Sequence, residues 1–318
     1  MLFLFLFACS LGEPDPNSLT VFDLESAVPQ KNLSKLCAGL KALDPEIQQS
    51  AAENIRIFEP EDTKECFCAA LADTSEGLRE GILKGMKGEK RNALGECASN
   101  VVKDPKTPSR EVAISLMGDI PAPIVNASLM ELALNPSDDA SIRATAVRAV
   151  GGYDDNFDDV SSLFAETNPE IKAAVVEVLS RHRSQKSAKS LVKEALVDSS
   201  PEVRAAAMTS YAKLSKKRSE VILCTAMMED ESPIVRAAAV KAFRKTSSVT
   251  AIRCLREKSM ILEEDRDVRA AMLDSLKMAD GDAEKPAFTV LCDAIPFWLL
   301  HYVTDKLPEE DPETDIVK

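Results

Sequence analysis

A chain of 318 residues with 52 acidic and 39 basic side chains carries a formal net charge of −13. That balance excludes broad contact with nucleic acid, because phosphate binding needs clustered cations. Hydrophobic residues make up 45% and aromatics only 5%, so Ala, Leu, Val and Met must fill the core, and 11 glycines are too few for a turn-rich all-β fold.

The chain opens with MLFLFLFACSLGEPDPNS, an apolar run from Leu2 to Ala8 followed by Cys9 and a polar stretch containing Pro14, Asp15 and Pro16. Such a run is too short to cross a bilayer. It resembles a bacterial lipoprotein signal, with Leu6, Ala8 and Cys9 in lipobox positions, although Phe7 is bulky and no Lys or Arg precedes the run. The resemblance implies cleavage before Cys9, diacylation of its thiol and, from Ser10, sorting to the outer membrane. Residues 1–8 are therefore expected to be a signal peptide and residues 9–30 a polar linker.

From residue 31 to about 280 an acid-x5-base pair recurs before or at the start of alanine-rich helical stretches. The clear copies are Asp198 with Arg204, Asp230 with Arg236 and Glu263 with Arg269; Asp73 with Arg79 and Asp104 with Arg110 are weaker ones. Taking the basic position as marker, the series runs Gln48, Arg79, Arg110, Arg143, Lys172, Arg204, Arg236, Arg269, with spacings of 31, 31, 33, 29, 32, 32 and 33. A fixed period of this length marks stacked repeats. Small or apolar residues two, three, six and seven places after each marker form one helical face, and a second apolar stretch precedes it. Each unit is thus a helical hairpin. Pro45, Pro169, Pro201 and Pro233 fall where second helices start, a position that tolerates a missing N–H, and Ser200 and Ser232 suit caps. After Arg269 the sequence PAFTVLCDAIPFWLLHYVTDKL predicts capping helices over 281–307, and 308–318 predicts a disordered acidic tail.

Seven cysteines follow Cys9. Cys37 and Cys66 lie 29 apart, Cys68 and Cys97 lie 29 apart, and Cys224 and Cys254 lie 30 apart, close to one repeat, so disulfides could staple neighbouring units. Pairing Cys37 with Cys68 and Cys66 with Cys97 fits equally well, burial as free thiols is also open, and Cys292 is left odd.

The Asp-x5-Arg pairs and the VRAAA stretches resemble the short HEAT-like repeats of bacteria. The resemblance implies an all-α fold, an α-solenoid of about eight hairpins with a C-terminal cap. It also implies that each base reaches the acid of an adjoining unit, forming a structural ladder. An enzyme family with similar repeats, the phycobilin lyases, attaches pigment to cysteine, and a lyase-like or enzyme-associated role, or that of a structural spacer, is the alternative to a scaffold.

Chemistry-bearing motifs are sparse. His182 and His301 lie far apart, Cys66-Phe67-Cys68 lacks a second pair at zinc-finger spacing, and neither nucleotide-binding glycine motifs nor hydrolase signatures occur. Asp154, Asp155, Asp158 and Asp159 lack calcium-loop spacing. The fourth residue after the marker is apolar in six successive units, Ile114, Val147, Val176, Met208, Val240 and Leu273, which predicts either a partner-binding stripe or packing between second helices. Turns between units are basic (Arg181, Arg183, Lys186; Lys213, Lys216, Lys217, Arg218; Arg244, Lys245), and turns within units are acidic. Helix dipoles account for such a distribution, and an acidic partner is the functional alternative. The expected function is a non-catalytic protein-binding scaffold without cofactor or metal, whose partner is another envelope protein and whose membrane contact is a lipid anchor.

Overall fold

The computed structural model describes residues 14–73, 80–150, 156–243, 249–260 and 263–279. Cys9, Arg79, Asp154, Asp155, Arg244, Lys245, Cys292, His301, the expected cap and the acidic tail lie outside them. The chain divides into two compact units, Met1–Ala195 and Leu196–Lys318.

The first unit holds α1 (Val21–Ala27), α2 (Leu33–Leu40), α3 (Pro45–Ile55), α4 (Pro60–Ala72), α5 (Glu80–Gly85) and α6 (Asn92–Lys103). It continues with α7 (Arg110–Met117), α8 (Pro123–Leu134), α9 (Ala140–Val150), α10 (Phe157–Ser162), α11 (Pro169–Leu179) and α12 (Lys186–Ala195). The second unit holds α13 (Pro201–Leu214), α14 (Lys216–Glu229), α15 (Pro233–Phe243), α16 (Val249–Met260) and α17 (Arg266–Ala279). Among the described residues there is no strand, and from α2 to α17 the chain runs through eight successive helix pairs.

In the first unit, α2, α4, α6 and α8 lie side by side in one layer and α3, α5, α7, α9 and α11 in the other. In the second unit α14 neighbours α16, and α13, α15 and α17 follow one another. This is the all-α solenoid stacking of hairpins, in which, within each unit, successive pairs bury their apolar faces against one another.

Local sequence explains the helix starts. Pro45, Pro60, Pro123, Pro169, Pro201 and Pro233 each occupy the first helical position. The Asp44 and Asn168 side chains accept the N–H groups of Glu46 and Glu170, and Ser200 Oγ accepts that of Val203, satisfying donors that a helix leaves orphaned. Small residues then let second helices approach closely. A Cβ added to Gly81 would stand 2.2 Å from Pro45 O and one on Gly85 2.6 Å from Ala52 Cβ, so α5 lies almost backbone to backbone on α3.

The expected linker is folded where it is described. Thr20 and Asp23 form a capping box that starts α1, and Leu24 and Ala27 are fully buried. The helix is short and preceded by prolines and polar residues, which masks it, yet Thr20-x-x-Asp23 was its signal.

Candidate interaction surfaces

The repeated charges join one hairpin to the next. Arg204 in α13 directs Nε and Nη2 to both carboxylate oxygens of Asp230, at 3.0 and 2.9 Å, and Nη1 to the Asp198 carbonyl at 2.9 Å. Arg236 in α15 repeats this towards Glu263, at 3.0 and 2.7 Å, with Nη1 3.0 Å from the Asp230 carbonyl. In the first unit Arg110 reaches Asp138 at 2.6 Å and the Val102 carbonyl, while Arg143 meets Glu166 and the Ala133 carbonyl. Each arginine therefore closes its own turn through a carbonyl and the following turn through a carboxylate.

The carboxylates also hold their own turns. Asp230 accepts Ser232 N–H at 2.9 Å and Glu263 accepts Asp265 N–H at 3.1 Å. Hydrogen bonds from Arg110 place the Asp138 carboxyl below the usual carboxylate range despite burial. Burial raises the Glu263 carboxyl, but the Arg236 hydrogen bonds, the Asp265 N–H and the charges of Arg236 and Lys258 outweigh it, so the net shift is downward.

The other sequence markers are placed less uniformly. Asp104 accepts Lys106 N–H within its own turn, and Arg269 closes on the carbonyls of Glu263 and Glu264. Lys172 stands 5.0 Å over the Phe164 ring. Gln48, which lacks a charge, still donates Nε2 to the Ala42 carbonyl at 2.7 Å and so keeps the turn-closing half of the arginine's role. Asp138 sits five residues before Arg143 rather than six, a displacement that hid it from the motif.

A second network ties the opposite edge of the first unit and leaves no repeated signature in the sequence. Glu89 is 4% exposed and is gripped by Arg91 Nε at 3.0 Å and Nη2 at 2.9 Å, with Arg56 Nε at 3.3 Å. Arg91 also donates to the carbonyls of Arg56 and Phe58, and Arg56 to those of Gly85 and Lys87. Burial raises the Glu89 carboxyl, and the two arginines more than reverse it.

Three cysteine pairs are disulfide-bonded, each between first helices of neighbouring hairpins. They are Cys37–Cys66 (α2 to α4), Cys68–Cys97 (α4 to α6) and Cys224–Cys254 (α14 to α16), with Cα–Cα distances of 5.7, 4.9 and 5.9 Å. The alternative crossed pairing is not the one present. A cavity of about 210 Å³ beside Cys68 and Cys97 is lined by Leu71, Asn100, Asp104 and Thr107, small for an organic ligand.

The apolar stripe is packing rather than surface. Ile114, Val147, Val176 and Val240 are fully buried and Met208 is 3% exposed; only Leu273, at 44%, is open. A second helix that is flanked on both sides within its unit buries a wider arc than a two-sided hairpin reckoning allows. Leu273 lies on α17, after which no helix is described.

His182 is 2% exposed and meets Phe157 edge-on at 5.3 Å, which places it in the core. Among the described residues no three His, Cys, Asp or Glu side chains converge as metal ligands. Asp158 and Asp159 are exposed on α10.

The basic edge divides in two. Arg181 and Arg183 follow the C-terminus of α11, where a helix dipole favours cations. Lys186, however, is the first residue of α12, and Lys216 is the first of α14. Cations at a helix N-terminus oppose the dipole by about 0.3–1 kcal/mol each. On α12 the dipole accounts for Lys193, in the last turn, but not for Lys186. On that helix Lys186, Lys189 and Lys193 are all exposed, while Ala188, Val192 and Ala195, on another side of it, are fully buried.

Residues 126–212 and 188–277 match the family model for HEAT repeats. No curated protein matches the chain in sequence. Among solved structures, human deoxyhypusine hydroxylase in complex with glycerol is similar at 16% identity over 81% of this chain and 99% of that one, with a TM-score of 0.35. The complex of CpcE and CpcF of phycocyanin lyase from Nostoc is similar at 14% identity, covering 82% of this chain and 100% of that one, with a TM-score of 0.38.

Proposed function

We propose that the protein is a non-catalytic scaffold of the bacterial envelope that binds another protein and is held at the membrane by a lipid on Cys9. The observation that carries this reading is the fate of the repeated charges. Arg110, Arg143, Arg204 and Arg236 are engaged in joining hairpin to hairpin, which makes the motif a device of construction and leaves recognition to the exposed helix faces. Cross-repeat disulfides support an oxidising compartment, in keeping with the lipoprotein-like N-terminus.

Cross-linking the full chain in its native envelope fraction tests the scaffold. A single protein recovered in constant proportion is the expected result; no cross-linked protein, or turnover of a small molecule by the purified chain, would contradict it. For the anchor, radiolabelled palmitate should enter the wild-type chain and not Cys9→Ser.

A further inference from the structure

We propose that the outer face of α12 docks an acidic protein segment, through Lys186, Lys189 and Lys193 with Arg183 beside them. The proposal rests on the scaffold reading and says where, and with what chemistry, that scaffold binds.

The three lysines stand at i, i+3 and i+7, which places them within one narrow arc of the helix, about 120° around it from the middle of the arc of buried Ala188, Val192 and Ala195. Elsewhere on the first helices of this unit, lysines reach carboxylates of a neighbouring helix: half-buried Lys35 with Asp23 at 2.9 Å and Lys64 with Glu96 at 2.7 Å, and exposed Lys103 with Glu131 at 2.7 Å. No carboxylate among the described residues pairs with Lys186, Lys189, Lys193 or Arg183. Lys193 lies in the last turn, where the dipole favours a cation, but Lys186 and Lys189 lie towards the N-terminal end and the lysines repel one another at i,i+3 and i,i+4 spacing. A partner that brings carboxylates to the row removes both penalties at once.

The geometry selects the occupant. A row seven residues long spans about 10 Å, which matches two turns of a helix bearing Glu or Asp at the same spacing. An extended anionic surface fits poorly. The chain carries −13 overall, and Glu194 on α12 and Asp158 and Asp159 on α10 are exposed in the same unit, so a flat sheet of phosphates would meet acid around the lysines.

The test uses the full chain and a short helical peptide with Glu at i, i+3 and i+7, followed by fluorescence anisotropy in low salt. We expect it to bind roughly tenfold more tightly than its Gln counterpart, the sum of three exposed charge pairs. The variant K186E/K189E/K193E should lose that advantage, whereas K87E/K90E/K106E, with the same charge change elsewhere in the unit, should keep it. K186Q/K189Q/K193Q supplies a milder variant, and circular dichroism verifies folding of all three. Equal binding of the Gln peptide, full binding by the α12 variants, or preferential sedimentation with phosphatidylglycerol vesicles would overturn the proposal. The same variants in the envelope cross-linking separate the two readings. Undiminished capture by folded K186E/K189E/K193E removes the α12 face and leaves the scaffold standing; peptide binding with no cross-linked protein in the wild type removes the scaffold.

Discussion

Replacing Arg236 with Met measures what one rung of the ladder contributes. The Arg236 side chain is 15% exposed and that of Glu263 only 4%, and the pair is bidentate at 3.0 and 2.7 Å. Removing one partner of a buried ion pair costs about 3–5 kcal/mol, most of it from the charge left behind. Here Lys258 stays 3.5 Å from the carboxylate and the Asp265 N–H still donates, which holds the cost near the lower end, about 3 kcal/mol. The double variant R236M/E263M buries an apolar pair of similar volume but leaves Lys258 and the Asp265 N–H without that carboxylate, so it should recover part of the loss. Urea titration of the wild type, both single variants and the double closes the cycle; the double should lose less than R236M alone and far less than the two single losses together. Hydrogen exchange in α15 and α17 supplies the local readout, because repeat arrays need not unfold in one step. A loss below about 0.5 kcal/mol in R236M, the value of a surface pair, would mean that the rung contributes no more than an exposed ion pair.

Reduction of the disulfides should lower the urea midpoint; each bridge closes a loop of about 30 residues and contributes about 3–4 kcal/mol by chain entropy, which C68S/C97S alone should reproduce in part. Glu89, Asp138 and Glu263 titrate below their ordinary values in the folded chain, so their stabilisation is complete above the unfolded carboxylate range and is lost as pH falls through the folded values. Unfolding followed from neutral to acidic pH should therefore show declining stability, and Glu89→Gln should flatten the decline. Gly81→Ala gains about 1 kcal/mol of helix propensity but drives a methyl into Pro45 O, for a net loss of about 2 kcal/mol in thermal melts. Met208→Asp should unfold the second unit, because a carboxylate there has no partner; a folded variant would reopen the stripe as a surface.

The spacing of Asp198, Arg204, Asp230 and Arg236 made the hairpins legible because helix starts, prolines and charges share one period. The direction of the bonds was less visible. Asp198 and Arg204 are six apart in sequence, yet the guanidinium takes the carbonyls of Asp198 and Ser199 from its own turn and its carboxylate, Asp230, from the next, a pairing that exists only once hairpins stack. Burial of Val147 and Val240 follows from having neighbours on both sides, which a single helical wheel does not contain. The Glu89 network was hidden because its members, Arg56, Glu89 and Arg91, do not recur. On α12 the sequence displayed the lysines, but only the helix start at Lys186 showed that the first of them opposes its dipole.

On this reading the ladder builds the repeat stack and leaves recognition of the partner to other surfaces. Quantitative cross-linking in the envelope fraction compares wild type with folded R236M/E263M. Equal capture by the two chains is expected; loss of capture by the double variant at unchanged helicity would contradict it.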